Sequence, residues 1–243
     1  MRLFGLIGYP LSHSFSEKYF KEKFENEGIT ECRYELFPLK TITELPVLLK
    51  AHPDLEGLNV TIPYKKQVLP FLNASHIPAG LEACNCINIM NNKLVGYNTD
   101  VTGFEKSLLP LLRSYHTGAL ILGDGGAASA VAFVLKKLGI GFYIVSRKLH
   151  GRLTLAYKKI DRKLIEEHPL IINATPLGMF PDTDNCPDIP YQFITDQHLL
   201  YDLVYNPAKT LFLQKGEEKG AIIKNGEEML ELQAEESWRI WNS

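Results

Sequence analysis

The chain of 243 residues is poor in several things, and each shortage closes off a class of protein. It holds only four cysteines (Cys32, Cys84, Cys86 and Cys186), scattered without the dense spacing of a disulfide framework. Cys84 and Cys86 stand one residue apart with no matching pair elsewhere, so no zinc site and no other metal is expected. Charge of one sign is also scarce. A net charge of −2 gives no bulk attraction for nucleic acid or an anionic membrane, and neither is expected as a partner. No apolar run reaches membrane-spanning length. The opening MRLFGLIGYP is too short and too soon interrupted for the apolar segment of a signal peptide, so a cytoplasmic protein is expected. What is present, 45% hydrophobic and 22% charged residues, suits a globular chain of one large domain or two ordinary ones.

The apolar pattern has two rhythms. Over the first hundred residues short strands alternate with helices. LFGLIG (3–8) reads as a buried strand, and Phe15, Tyr19, Phe20 and Phe24 form a helical stripe that stops at Gly28. CRYELFP is a second strand, TELPVLLK a short helix and GLNVTIP a third strand. In that third strand Leu58, Val60 and Ile62 are expected to face the core, with Asn59 and Thr61 opposite. PYKKQVLPFL is expected to open a helix with Pro63 in its first turn. CINIM and KLVGY flank an Asn-Asn turn, a hairpin. From about residue 104, the apolar strands GALILG, GFYIVSR, PLIINAT, HLLYDLV and GAIIKNG predict a parallel sheet covered by helices, which binds ligands at the carboxyl ends of its strands. EEMLELQAEESWRIW is an amphipathic helix after Gly226.

Several short segments carry chemistry. LGDGGAAS supplies Gly123, Gly125 and Ala128 in the spacing G-x-G-x-x-A, between a predicted strand and a helix, as a dinucleotide-binding turn requires. Gly126 and Ala127 complete the loop, whose amides meet a pyrophosphate at the helix start. Asp124 is out of place there, because its carboxylate repels a pyrophosphate unless the side chain points away. The next strand ends in Ser146, Arg147 and Lys148 with no acid, which suits a 2′-phosphate better than a ribose diol. In GYPLSHSFS, Ser12 and Ser14 either donate to a carboxylate or simply cap the following helix. In GYNTD, Asp100 stands ahead of a helix, where a capping role is open to it as well. The end of the third strand, NVTIPYKK, is either the solvated end of an edge strand or the wall of a substrate cleft.

Together the segments GYPLSHSFS, NVTIPYK, EACNCIN, GYNTD, GDGGAAS, NATPLGM, DLVYNP and NGEEMLELQAEESW resemble, in order and along nearly the whole chain, the shikimate dehydrogenase family. The resemblance implies an α/β fold of two domains. An N-terminal α/β substrate domain would cover 1–102, and a Rossmann-type doubly wound NADP-binding domain 103–225, with the C-terminal helix (226–243) packing back on the first. It implies reduction of 3-dehydroshikimate to shikimate with NADP(H), by a monomer or homodimer. Lys65 and Asp100 match the catalytic pair. Ser12 and Ser14 would hold the substrate carboxylate, and Thr61, Asn85, Asn98 and Gln233 the ring hydroxyls, with Asn59 lining the pocket and Tyr205 close by. Gly123, Gly125, Gly126, Ala127, Ala128, Ser146, Arg147, Lys148, Thr175 and Gly226 would serve the cofactor. A quinate/shikimate dehydrogenase shares these motifs, a methylenetetrahydrofolate dehydrogenase shares the two-domain plan, and a non-catalytic NADP-binding sensor would share the fold. The chain departs from the family at Glu17, where Pro is usual, at Cys86, where Thr is common, and at Asp124, where Ala is common. The short link from Arg147 to IINAT predicts a missing or trimmed helix.

Overall fold

A computed structural model describes residues 1–11, 14–147 and 153–243. The chain forms two compact units, one of residues 1–103 and 230–243, the other of residues 104–229. Both boundaries fall inside helices.

The first unit runs β1 (Arg2–Gly8), α1 (Phe15–Asn26), β2 (Cys32–Pro38), α2 (Leu45–Ala51), β3 (Leu55–Val60), β4 (Ala74–Ser75), β5 (Cys86–Met90), β6 (Lys93–Tyr97) and the start of α3 (Asp100–Leu108). Its sheet has the order β2-β1-β3-β5-β6-β4. β1 lies parallel to β2 and β3, whereas β5 runs antiparallel to β3 and β6. The hairpin between β5 and β6 turns on Asn91 and Asn92, both with positive φ (51° and 60°), as a two-residue primed turn requires. Phe20 and Phe24 of the α1 stripe are buried beside Tyr34, and Phe20 stacks on Tyr34 with ring centroids 4.7 Å apart.

Two expectations fail here. β3 ends at Val60, and Ile62 is 74% exposed rather than in the core. Residues 62–68 are turns followed by a 3₁₀ turn at Leu69–Phe71, not a helix. The physical cause is at hand: the Lys65 carbonyl accepts from Cys84 N (2.8 Å), so it is engaged outside the helical ladder, and Pro70 removes another donor.

The second unit runs from the rest of α3 through β7 (Gly118–Leu122), α4 (Gly126–Lys137), β8 (Gly141–Val145), β9 (Thr154–Leu155), α5 (Arg162–Glu167), β10 (Leu170–Asn173), β11 (Leu199–Asp202), α6 (Leu211–Glu217) and β12 (Ile222–Lys224), to the start of α7 (Glu227–Trp241). Its strand order is β12-β11-β10-β7-β8-β9, all parallel. The chain moves outward from β7 to β9, then returns to β10 on the other side of β7. That reversal places a ligand crevice at the carboxyl ends of β7 and β10. α5, six residues long, is the trimmed helix.

The last residues of α7 belong to the first unit. Trp241 stacks on Phe4 (centroids 4.8 Å) and donates through Nε1 to Ile87 O at 3.0 Å. A Cβ at Gly57 would collide with the Trp241 indole, so only glycine admits that ring against β3. No helix among the described residues is long and apolar enough to cross a membrane.

Candidate active site

The approach to Lys65 is pinned on both sides. Upstream, Thr61 N donates to Ile7 O (2.9 Å), and the buried Tyr64 donates its hydroxyl to Leu39 O (2.7 Å). At Lys65 itself the carbonyl is held by Cys84 N. The side chain is thereby directed to Asp100, with Nζ donating to Oδ2 at 2.6 Å. Asp100 is 6% exposed and opens α3. It does not serve as the helix cap, because Asn98 Oδ1 accepts from Val101 N (3.3 Å). Its second oxygen, Oδ1, accepts from Asn85 Nδ2 at 2.9 Å.

Asn85 is the centre of a buried polar network. Its Oδ1 accepts from Thr99 N (2.6 Å), and its amide reaches Thr99 Oγ1 (2.9 Å) and Gln233 Oε1 (3.5 Å). The hairpin register makes this possible: Cys86 pairs with Tyr97, and Asn85 N donates to Tyr97 O, so Asn85 faces the start of α3. From α7, Gln233 Oε1 accepts from the Thr99 hydroxyl (3.3 Å), and Ser237, four residues on and so on the same helix face, lies within 3.3 Å of that hydroxyl. A lone buried carboxylate is costly, but this one has an ammonium and an amide as partners.

Lys65, Asp100, Asn85 and Gln233 are thus brought together. Asn59 is nearby but spent: Oδ1 accepts from Tyr34 OH (2.8 Å), and its two amide hydrogens go to Asn85 O (3.3 Å) and Ser237 Oγ (3.0 Å). It braces Asn85, and both of its amide hydrogens are engaged within the protein. Asn98 is 8% exposed and gives one amide hydrogen to Ala83 O at 2.7 Å. Thr61 is half-buried beside Gly8, where a Cβ would lie 2.5 Å from the threonine methyl. Ser14 does cap α1, accepting from Glu17 N at 3.2 Å, yet its own O–H remains to donate. Ser12 and Lys148 lie outside the described residues. Tyr205 belongs to the second unit, half-buried, with its phenol pKa raised by burial. Thr99 and Ser237 were not anticipated. The spacing of Ser237 from Gln233 on one helical face was the signal that could have found it.

In the second unit a cavity of about 470 Å³ opens at the ends of β7, β8 and β10. Gly123, Gly125, Ser146, Arg147 and Thr175 line it, as do Asp124, Tyr157 and Asp188. The site fits a dinucleotide by three observations. Gly123 has φ +107°, and a Cβ there would lie 2.9 Å from Thr175 Cγ2. Cβ atoms at Gly125 and Gly126 would stand in open space, so a phosphate can approach bare backbone. Gly125 is the N-cap of α4 and has no side chain to occupy the first amides of the helix. Ala128, 1% exposed, instead packs inward, and Ala127 is half-buried. Gly226 N donates to Val204 O (3.1 Å), and a Cβ there would run into the Leu203 carbonyl. Asp124 turns aside to accept from Ser146 Oγ at 2.7 Å.

Beneath Thr175 lies a second buried network. Asn173 Oδ1 accepts from both Thr175 N (3.0 Å) and Thr175 Oγ1 (2.6 Å), while Asn173 Nδ2 donates to Asp202 Oδ1 (2.9 Å). Asp202, fully buried, also accepts from Thr210 Oγ1 (2.5 Å) and Val204 N (3.0 Å). Burial pushes its carboxyl up to about 6, against the pull of these three donors.

A family model described as the shikimate dehydrogenase substrate binding domain matches residues 6–87. A shikimate dehydrogenase (NADP(+)) of Clostridium beijerinckii is 38% identical over 256 residues, covering 99% of this chain and 92% of the relative. The chain belongs to the shikimate dehydrogenase family. Among solved members of that family, the shikimate 5-dehydrogenase of Thermus thermophilus, in complex with NADP(H) and shikimate, superposes with a TM-score of 0.86 at 29% identity, covering 99% of this chain and 93% of that one. The shikimate 5-dehydrogenase of Listeria monocytogenes, in complex with shikimate and NAD, gives 0.88 at 26% identity, covering 100% and 92%. The substrate-domain match takes in Ser14, Asn59, Thr61, Lys65 and Asn85. Asn98, Asp100 and Gln233 lie beyond it.

Proposed function

We propose that this chain is an NADP-dependent shikimate dehydrogenase, reducing 3-dehydroshikimate to shikimate reversibly. The observation that carries the reading is the Lys65–Asp100 pair at 2.6 Å, held by Asn85 in a buried polar network; a binding-only sensor has no use for such a pair. Bound NADPH supplies the hydride. As negative charge grows on the substrate carbonyl oxygen, the Lys65 ammonium stabilises it and delivers the proton, which is restored from water because the lysine side chain is 22% exposed. In the reverse direction neutral Lys65 takes the hydroxyl proton.

Asp100 holds the ammonium in place and accepts from a substrate hydroxyl, while Asn85 fixes the carboxylate. Gln233, Asn98 and Thr61 offer the remaining polar atoms for ring hydroxyls. Ser12 and the O–H of Ser14 take the substrate carboxylate. On the cofactor side, the glycine loop receives the pyrophosphate, while Arg147, with Ser146 and Lys148, meets the 2′-phosphate. The setting is the cytoplasm, and the working form a monomer or homodimer. Mixing the purified protein with shikimate and NADP+ and following NADPH absorbance tests the reading. No absorbance change with shikimate at any pH near neutrality would refute it.

A further inference from the structure

We propose that Asp124 is a determinant of dinucleotide choice, opposing the 2′-phosphate that Arg147 attracts and supplying an acceptor for the ribose diol of NADH. The inference rests on the dinucleotide reading of the second unit. NAD-binding units carry an acid at the end of the second strand to hold the ribose hydroxyls. Here β8 ends at Val145 and is followed by Ser146 and Arg147, with no acid of its own. Yet a carboxylate is delivered to that strand end from the glycine loop, because Asp124 Oδ2 accepts from Ser146 Oγ at 2.7 Å. Ser146 is 5% exposed and its backbone N donates to Leu155 O (2.9 Å), so the anchor is fixed. Asp124 itself is exposed on the cavity wall, and the bond to Ser146 uses only one of its oxygens.

The cavity therefore has an acid and a base at the place where the two cofactors differ. Both charges reach Tyr157 on the same wall: burial raises its phenol, Arg147 opposes that and Asp124 adds to it. Asp188 adds a second carboxylate to the lining, against one guanidinium among the described residues. A phosphate dianion entering this site gains Arg147 but meets acid, whereas a diol meets an acceptor with no phosphate to be repelled. The preference for NADPH is thereby narrowed, and the site is open to NADH as well.

The test is a titration of NADPH and NADH by cofactor fluorescence, and of 2′-phospho-ADP-ribose and ADP-ribose by calorimetry, against wild type, Asp124→Ala and Asp124→Asn. Asp124→Asn keeps the shape and a partner for Ser146, so it separates charge from folding. Both variants should tighten the 2′-phosphorylated ligands by roughly 2–5-fold, the scale of one exposed charge contact. Asp124→Ala should also weaken the diol ligands by about tenfold, from the lost bond to a charged group. Ratios of phosphorylated to unphosphorylated affinity unchanged in both variants would overturn the proposal while leaving the dinucleotide site intact. A wild type that binds neither dinucleotide would overturn the functional reading, and this inference with it.

Discussion

Replacing Lys65 by Ala should cut turnover far more than it cuts binding or folding. Lysine is the group closest to Asp100, with Nζ 2.6 Å from Oδ2, and its side chain is only partly open to water. In the ground state the substrate carbonyl is neutral, so the ammonium contributes little to binding. It matters as negative charge develops and a proton must arrive, which is where general acid catalysis contributes roughly 10²–10⁴-fold, or about 2.7–5.5 kcal/mol. kcat should fall by that factor, and KM for shikimate should move by less than about threefold. The fold is spared because Asp100 keeps Asn85 as a partner at 2.9 Å and α3 keeps its cap from Asn98. Removing one member of a half-open pair should cost about 1–3 kcal/mol, between the exposed and fully buried limits. Initial rates in both directions at saturating cofactor, with a thermal melt of each protein, separate the two effects. Lys66→Ala is the matched control, since that side chain is exposed. A Lys65→Ala enzyme with kcat near wild type, or an equal loss in Lys66→Ala, would refute the assignment.

Three further outcomes are expected. Changing Ser12 and Ser14 together to Ala should raise KM for shikimate well above any change for NADP+, since each lost bond to a charged group is worth about 1.5–3 kcal/mol; Ser14→Ala alone should also lower stability by about 0.5–2 kcal/mol through the lost α1 cap, and a stability loss with KM untouched would leave only the cap. Arg147→Ala should weaken NADPH by about tenfold or more while NADH hardly moves, and high salt should narrow the wild-type difference; equal losses for the two cofactors would remove Arg147 from the phosphate site. Asp202 holds its proton to about pH 6 in the folded state, whereas an unfolded Asp releases it near ~4. The native state then binds the extra proton between those values, so stability falls as pH rises through that window, by up to about 3 kcal/mol at pH 7. Asp202→Asn should flatten this part of the stability–pH curve, and an unchanged slope in chemical denaturation from pH 4 to 7 would refute the origin assigned to it.

Much of the fold was legible because its signals are local. Asn91 and Asn92 announce a hairpin, GALILG followed by a glycine turn announces a strand feeding a helix, and the short link after Arg147 announces a trimmed α5. What escaped the sequence is set by partners far along the chain. Ile62 continues the alternation of β3 in sequence, but the strand has already ended, and turns held by Tyr64 OH and the Lys65 carbonyl carry it outward. Asn59 alternates with Val60 as a cleft residue would, yet its hydrogens are spent on Asn85 O and on Ser237, 178 positions away. Periodicity shows which face a side chain leaves from; it does not show what is waiting there.

Glu17 shows how such a partner changes the meaning of a motif. The resemblance to the family implies a proline at this position, and a proline has no N–H to give. Here Glu17 N donates to Ser14 Oγ at 3.2 Å, the spacing Ser14-x-x-Glu17 is that of a capping box, and the glutamate pairs with Lys21 at 2.7 Å. The cap therefore consumes a lone pair of the Ser14 hydroxyl, not its hydrogen. With the oxygen held by the helix, the O–H is left to donate, and the carboxylate of the proposed substrate needs a donor rather than an acceptor. Capping and substrate binding, which stand as rivals when the sequence is read alone, are compatible in one hydroxyl. In the proposed substrate role, the cap restricts the rotation of this hydroxyl and so leaves less freedom to lose on binding.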